Sequence, residues 1–508
     1  MATRKAPGKL VLCVIDALTP AALERAIADG ATPTLARLRE RGHYLSECVA
    51  SFPSVTPVCA ASITTGRWQD GHGVPGMNWY DRDQQRYVEY GSSFRAAQRF
   101  GIARQLTDTI YNLNQAHLNP ALRTVFEALD DAEVRTAGTT YLIYRGRHVH
   151  EPRRAGLLSR LASPLARHSV LGPRELFYAD LFASRPAPCT AMLGMPGLRD
   201  RHSGCVGEYL VEHDLFDFLL LSLPDNDWYS HRHGPQAQMH SLADADRQLT
   251  RVMDAAGGVD EFLEDHAVIV MGDHAQVPID RTIDLAGELA GLGISGPGKA
   301  AAAGPLAVCP SQRAAMVYIL EEDRSGSLAE RLRARVREIE GVELLAWLER
   351  DAAGAPAEAV LCNPLHGELR FAPGGSVVDR RGRAWCLEGH PEALALKERD
   401  GRLDSSLYPD ALDRLWAALT CPRSGDLLLS ASPRHEFLDW GGQAHPGGGS
   451  HGSLRAGDSL TGVIITGVKG PSEEPGQWTI CDVARLAAGH FGAELDQGGG
   501  AYAPAGEA

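Results

Sequence analysis

Residues 10–16 read LVLCVID, six apolar residues in succession closed by an aspartate. A run of that length is a strand, and one without polar alternation is buried on both faces. Similar runs return at 216–223 (FDFLLLSL), 266–273 (HAVIVMGD) and 459–468 (SLTGVIITGV). Helical patterns fill the intervals. ALERAIADGATPTLARLRERG reads as helix, turn, helix; TVFEALDDAEV reads as a helix feeding the strand RTAGTTYLIY; WTICDVARLAAGHF reads as a helix after the last strand. Continuous apolar strands separated by helices specify an α/β fold with a mostly parallel central sheet flanked by helices.

Two stretches break this rhythm. Residues 147–205 are rich in Arg, Pro and Ser and show no clear core strand. Residues 285–425 open with the Gly/Ala-rich GELAGLGISGPGKAAAAGP, then show a strand in MVYILEE, a helix in SLAERLRARVREIEG and a strand in VELLAWL. The expected organisation is a catalytic core over 8–284 carrying the 147–205 insertion, an inserted cap over 285–425, the second part of the core over 426–495, and a disordered tail over 496–508.

The 508 residues carry a formal net charge of −14. That excludes the basic field of a nucleic-acid polymer binder or an anionic-membrane binder. A phosphate substrate stays compatible, because bound metal ions set the local charge. Ten cysteines without a CxxC pair read as buried free thiols in a reducing compartment. The N-terminal MATRKAPGKLVLCVIDAL has too short an apolar run for a signal peptide. No run reaches the roughly 18 residues of a membrane span. A soluble cytoplasmic protein is expected; nothing selects an oligomeric state.

Three of the buried runs end in acids: Asp16, the Asp225/Asp227 pair, and Asp273. Ligands of an open parallel sheet bind beyond the carboxyl ends of its strands. Carboxylates gathered there repel one another unless a cation sits among them. Two of the acids have a histidine close by, in Asp227-Trp-Tyr-Ser-His231 and Asp273-His274, and a third histidine, His451, lies in GGGSHGS. Three Asp and three His suit two divalent metals with N/O ligands, Zn²⁺ first and Mn²⁺ or Fe²⁺ next. In SFPSVTPVCAASITTG, Thr56 precedes Pro57 and an apolar helical run that Gly66 closes. Thr at the N-cap, Pro at the first helical position and Gly at the C-cap place Thr56 at a helix N-terminus, which attracts anions.

In their order, D…FPSxT…TG…DxxxH…DH…HG, these pieces resemble the type I phosphodiesterase/nucleotide pyrophosphatase branch of the alkaline phosphatase superfamily. The resemblance rests on Asp16, Phe52 to Gly66, Asp227 to Pro235, Asp273-His274 and His451-Gly452. It implies an alkaline phosphatase-like core and one metal held by Asp227, His231 and His451. It implies a second metal held by Asp16, Asp273, His274 and the oxygen of Thr56. It implies Thr56 as the nucleophile that becomes phospho-threonine. HGVPGMNWYD resembles the family's segment bearing a phosphate-contacting Asn; the aligned position is Met77, which shifts that role to Asn78. Where the family reads PNH after the nucleophile, this chain reads VCA.

The expected activity is metal-dependent cleavage of phosphodiester or nucleotide pyrophosphate bonds in a small-molecule substrate. The alternatives are a phosphonoacetate-type phosphonate hydrolase or a phosphomonoesterase, and more remotely a non-catalytic binding protein on the same scaffold. A sulfatase is disfavoured, because no Arg follows the nucleophile in a tight motif. Trp79, Tyr80, Trp228 and Tyr229 flank site residues and could stack on a base or pack the core.

Overall fold

The computed structural model describes residues 8–153, 168–297, 304–322, 324–469 and 476–495. The expected tail, 496–508, lies outside them.

The strand Lys9–Ile15 lies at the heart of an eight-stranded sheet, with Phe218–Leu223 on one side and His266–Met271 on the other, parallel to both. Leu10 to Ile15 are buried, as a strand covered on both faces requires. Thr136–Gly138 and Glu175–Tyr178 extend the parallel part beyond Phe218–Leu223. On the other flank Leu460–Thr466 runs antiparallel to His266–Met271, and His43–Val49 runs antiparallel to it in turn. The sheet is therefore mostly parallel, and its three central strands deliver Asp16, the 225–227 segment and Asp273 to one edge.

Two sequence expectations are overturned between 147 and 205. Glu175–Tyr178, read as part of a stretch without core strands, is fully buried and pairs with the central sheet. Four residues following Pro173-Arg174 are too short a run to show period or length. The cysteines are not all free either: Cys189 and Cys205 form a disulfide. The other eight are unbridged, and seven of them are buried.

A second eight-stranded sheet contains strands from Ile294–Ser295 to Leu427–Ala431. Leu427–Ala431 inserts between Ala314–Ile319 and Val342–Arg350, pairing with both. Leu10, Leu12 and Val14 of the first sheet share one apolar cluster with Cys309, Met316 and Leu361 of the second. The second sheet thus packs into the core, and the tip of its hairpin Leu306–Ser311/Ala314–Ile319 reaches the carboxyl edge of the first. Arg313 at that tip is buried. It bonds the carboxylate of Asp458 and the carbonyls of His435 and Ser432, while Asp458 also accepts from the N–H of Ser453 at 2.7 Å. Among the described residues no helix is long and apolar enough to cross a membrane.

Candidate metal centre

Asp227 and His231 stand on the helix Asp225–His233, whose pitch puts positions four apart on one face. Their closest approach is 3.4 Å. His451, from the loop before the last core strand, brings its Nε2 to 3.5 Å from the same Asp227 oxygen. Asp227, His231 and His451 form one group whose ligand atoms lie within 4.8 Å of one another; Asp16, Asp227 and His274 form another. Asp227 stands between the two. Asp273 adjoins the second group, with Oδ2 at 3.5 Å from His274 Nε2, while its Oδ1 accepts the N–H groups of Ala17 and His274.

The imidazoles are held alike. Nδ1 of His231 meets the carbonyl of Gly449 at 2.8 Å, that of His451 meets Ser54 O at 2.6 Å, and that of His274 meets Ala275 O at 3.3 Å. A carbonyl only accepts, so each Nδ1 carries the proton and each Nε2 turns a lone pair inward. Backbone orientation of this kind is typical of histidines that bind a metal. Among the described residues, buried His451 Nε2 and Asp16 Oδ1 have no hydrogen-bond partner. Orphaned acceptors beside crowded carboxylates are what a cation would satisfy, and an N/O set of this kind fits a divalent ion.

The electrostatics agree. Burial, then the charges of Asp273 and Asp227, push the Asp16 carboxyl well above its usual range. Burial would also raise Asp227, but the imidazoles of His231, His451 and His274 hold it well below. Burial disfavours the His231 imidazolium, yet Asp227 outweighs it and His231 is pushed up to about 9. His451 is driven well below its ordinary value by burial and then by His274.

Thr56 is the first residue of the helix Thr56–Thr65, not its cap. Val55 is the N-cap, extended in backbone, and its carbonyl accepts from Val58 and Cys59. The expectation of a capping threonine is corrected by one position, and the consequence is chemical. The Thr56 hydroxyl is released from capping and lies 3.3 Å from His274 Nε2. Gly66 closes the helix in the left-handed conformation, at φ 66°, which costs glycine nothing.

The structure brings Asp16, Thr56, Asp227, His231, Asp273, His274 and His451 into one site. Asn78 is buried, and its amide nitrogen donates to the carbonyl of Pro310 beside the hairpin tip. Asp225 is occupied elsewhere, accepting from Gly197 N, Arg199 Nε and Asp200 N. Trp79 is core, bonding Tyr90 and packing edge-on to His117, whereas Trp228 is partly exposed.

Four residues not read from the sequence complete the surroundings. Gln276 donates its amide to Asp227, and Asn226 donates to the carbonyl of Asp16 at 2.7 Å. Gln312, at φ 61° on the hairpin tip, places Nε2 3.3 Å from His231 Nε2. Glu436 accepts from His445 Nδ1, and the His445 ring lies 4.1 Å from that of His231. Gln276 and Asn226 each adjoin a motif residue, which is the only signal the sequence offers for them.

The sequence profile of the type I phosphodiesterase / nucleotide pyrophosphatase family matches residues 10–454. No curated protein matches the chain significantly. Among solved structures, phosphonoacetate hydrolase from Sinorhizobium meliloti 1021 in complex with phosphonoformate is similar with a TM-score of 0.54 at 17% identity. That likeness covers 96% of this chain and 97% of that one. Murine ectonucleotide pyrophosphatase / phosphodiesterase 5 gives 0.57 at 11% identity, covering 97% of both chains, and its inactive variant in complex with AMP gives 0.56. At such identities the likeness establishes an alkaline phosphatase-like fold. The profile covers nearly the whole chain, from the first core strand past His451, and the chain belongs to the type I phosphodiesterase/nucleotide pyrophosphatase family.

Proposed function

We propose that this protein is a two-metal hydrolase that cleaves phosphodiester or nucleotide pyrophosphate bonds through a phospho-threonine at Thr56. The observation that carries this reading is the convergence of three backbone-oriented imidazole Nε2 atoms with the carboxylates of Asp16, Asp227 and Asp273 next to the Thr56 hydroxyl. Asp227, His231 and His451 would hold one divalent cation, and Asp16, Asp273, His274 and Thr56 the other. When bound, such a pair neutralises the phosphoryl oxygens and activates an attacking oxygen.

The residues supply the rest. Gln276 orients Asp227, and the three carbonyl partners keep the imidazoles in the tautomer that leaves Nε2 free. Thr56 Oγ1 attacks phosphorus, the leaving oxygen departs on the opposite side, and the phosphoryl group rests on Thr56. Pro57 has no N–H and those of Val58 and Cys59 serve the Val55 carbonyl, so at the N-terminus of this helix the Thr56 backbone N–H would face the developing charge. Water then cleaves the phospho-threonine and restores the hydroxyl.

A phosphonate hydrolase is the second reading, supported by the Pro53–Thr56 PSVT segment and by the likeness to phosphonoacetate hydrolase. One relative was solved with AMP and another with phosphonoformate; both ligands present a phosphorus oxyanion, the chemistry common to the two readings. Rates on phosphomonoester, phosphodiester, nucleotide anhydride and phosphonate substrates with Zn²⁺ or Mn²⁺ decide between them. Absence of turnover on all four by the metal-loaded protein would overturn the hydrolase reading.

A further inference from the structure

The buried carboxylate of Glu436 clasps His445. It accepts from Nδ1 of His445 at 2.8 Å, from the backbone N–H of His445 at 2.7 Å and from the Ser450 hydroxyl at 2.8 Å. A carboxylate that only accepts fixes the His445 proton on Nδ1, so Nε2 carries a lone pair. The side chain is nevertheless 32% exposed. With Nδ1 on a buried carboxylate, the part open to water is the Nε2 edge.

The ring also lies against His231, with centroids 4.1 Å apart and planes 31° from parallel. The two rings point the same way. His231 turns Nδ1 to the carbonyl of Gly449, and His445 turns Nδ1 to the carboxylate oxygen that also holds Ser450. Gly449 and Ser450 are consecutive, so both Nδ1 edges face one stretch of chain and both Nε2 edges face away from it. In that direction His231 Nε2 reaches Asp227 at 3.4 Å. Nε2 of His445 lies alongside but one layer out, because His445 belongs to neither group of converging ligand atoms. Thr56 stands beside His274, in the other half of the site. In an in-line displacement the leaving oxygen therefore departs toward Asp227, His231 and His451, and the water of the second step enters from there.

We propose that His445, set by Glu436, orients the water that cleaves the phospho-threonine. Nε2 accepts a hydrogen bond from one O–H of that water and turns the water's oxygen toward phosphorus. The bond from the water oxygen to phosphorus forms as the bond to Thr56 Oγ1 breaks. One water hydrogen stays on the phosphoryl product, and the other passes through solvent to Thr56 Oγ1. The inference rests on the covalent reading above and assigns a residue to its second step.

The test separates the two steps. The Zn²⁺-loaded full chain is mixed with bis(4-nitrophenyl) phosphate. The burst of nitrophenolate reports phosphorylation, and the decay of phosphorylated peptide 52–66 after dilution reports dephosphorylation. His445→Ala should slow dephosphorylation at least about tenfold and phosphorylation less than about threefold. His445→Gln, whose amide oxygen stands in for Nε2, should recover part of the loss. Glu436→Gln should reproduce the defect, because its amide holds the tautomer less firmly than a carboxylate. Metal content and melting temperature are measured for each variant, and rates are compared at equal metal occupancy. An equal fall in both steps would mean that His445 only supports His231, and it overturns the assignment. A dephosphorylation constant that none of the variants moves overturns it too. Failure of the parent chain to phosphorylate is a separate outcome: it removes the covalent reading itself, and the inference falls with it.

Discussion

His274 and His451 lie ring on ring, their centroids 3.7 Å apart and their planes within 16°. His274 follows a central strand and His451 precedes an outer one, yet the contact joins the two halves of the candidate metal centre. The stack sets His274 Nε2 3.6 Å from an Asp16 oxygen and His451 Nε2 3.5 Å from an Asp227 oxygen, so the two rings present their ring nitrogens side by side to the carboxylates.

Metal binding is the first expected outcome. Protein reconstituted with Zn²⁺ or Mn²⁺ should carry about two ions per chain by elemental analysis, as a paired site requires. Its melting temperature should rise on loading and fall again with a chelator. Free ion at about a hundred times its dissociation constant contributes roughly 2.7 kcal/mol. Less than half an equivalent bound, or a melting temperature indifferent to chelation, would sink the two-metal reading.

Thr56→Ala should lower turnover by about four orders of magnitude or more, the scale seen when a nucleophile is removed. The melting temperature should hardly move, because Val55 and not Thr56 caps the helix. Thr56→Ser should keep part of the activity, since the oxygen remains. A phosphorylated peptide spanning 52–66, trapped in acid, would report the intermediate. Near-normal turnover by Thr56→Ala would falsify the covalent route.

Arg313→Met should destabilise the fold by about 3–5 kcal/mol, because it leaves Asp458 buried without its cation. Denaturant titration gives this directly. The backbone N–H of Arg313 holds the carbonyl of His451 at 2.9 Å, so a hairpin tip that shifts on losing the ion pair should weaken Zn²⁺ affinity as well. Replacing both charges, in Arg313→Met with Asp458→Leu, should recover a good part of the loss. A double variant no better than the single one would mean that the hairpin tip, not the ion pair, sets the stability.

Glu89 links stability to pH. Burial, aided by Asp439 and opposed by hydrogen bonds from Ser92 and Gly91, pushes its carboxyl from 4.5 up to about 7. The native chain therefore holds this proton more tightly than the unfolded chain. Its contribution to stability is fully present below about 4.5 and is lost as pH rises to about 7. Urea midpoints of metal-free protein at pH 5 and pH 8 should fall less in Glu89→Gln than in the parent. An identical decline in both proteins would show that Glu89 is not the group responsible.

The sequence by itself determined the elements whose signals are local. Six-residue apolar runs such as 10–15 reveal buried strands, and strands joined by helices imply parallel pairing, so their terminal acids share an edge. The four-residue step from Asp227 to His231 follows from helix pitch alone. Tertiary structure decided everything that depends on contacts between distant segments. It recruited the Glu175–Tyr178 strand from a stretch that reads as loop, and it joined Cys189 to Cys205. It brought Gln312 to His231 on a hairpin from another sheet. It aimed His451 with the carbonyl of Ser54, and it left Asn78 on Pro310. Backbone periodicity is set by neighbours along the chain and is legible there. Which lone pair faces which carboxylate is set by packing across hundreds of residues, and no local pattern encodes it.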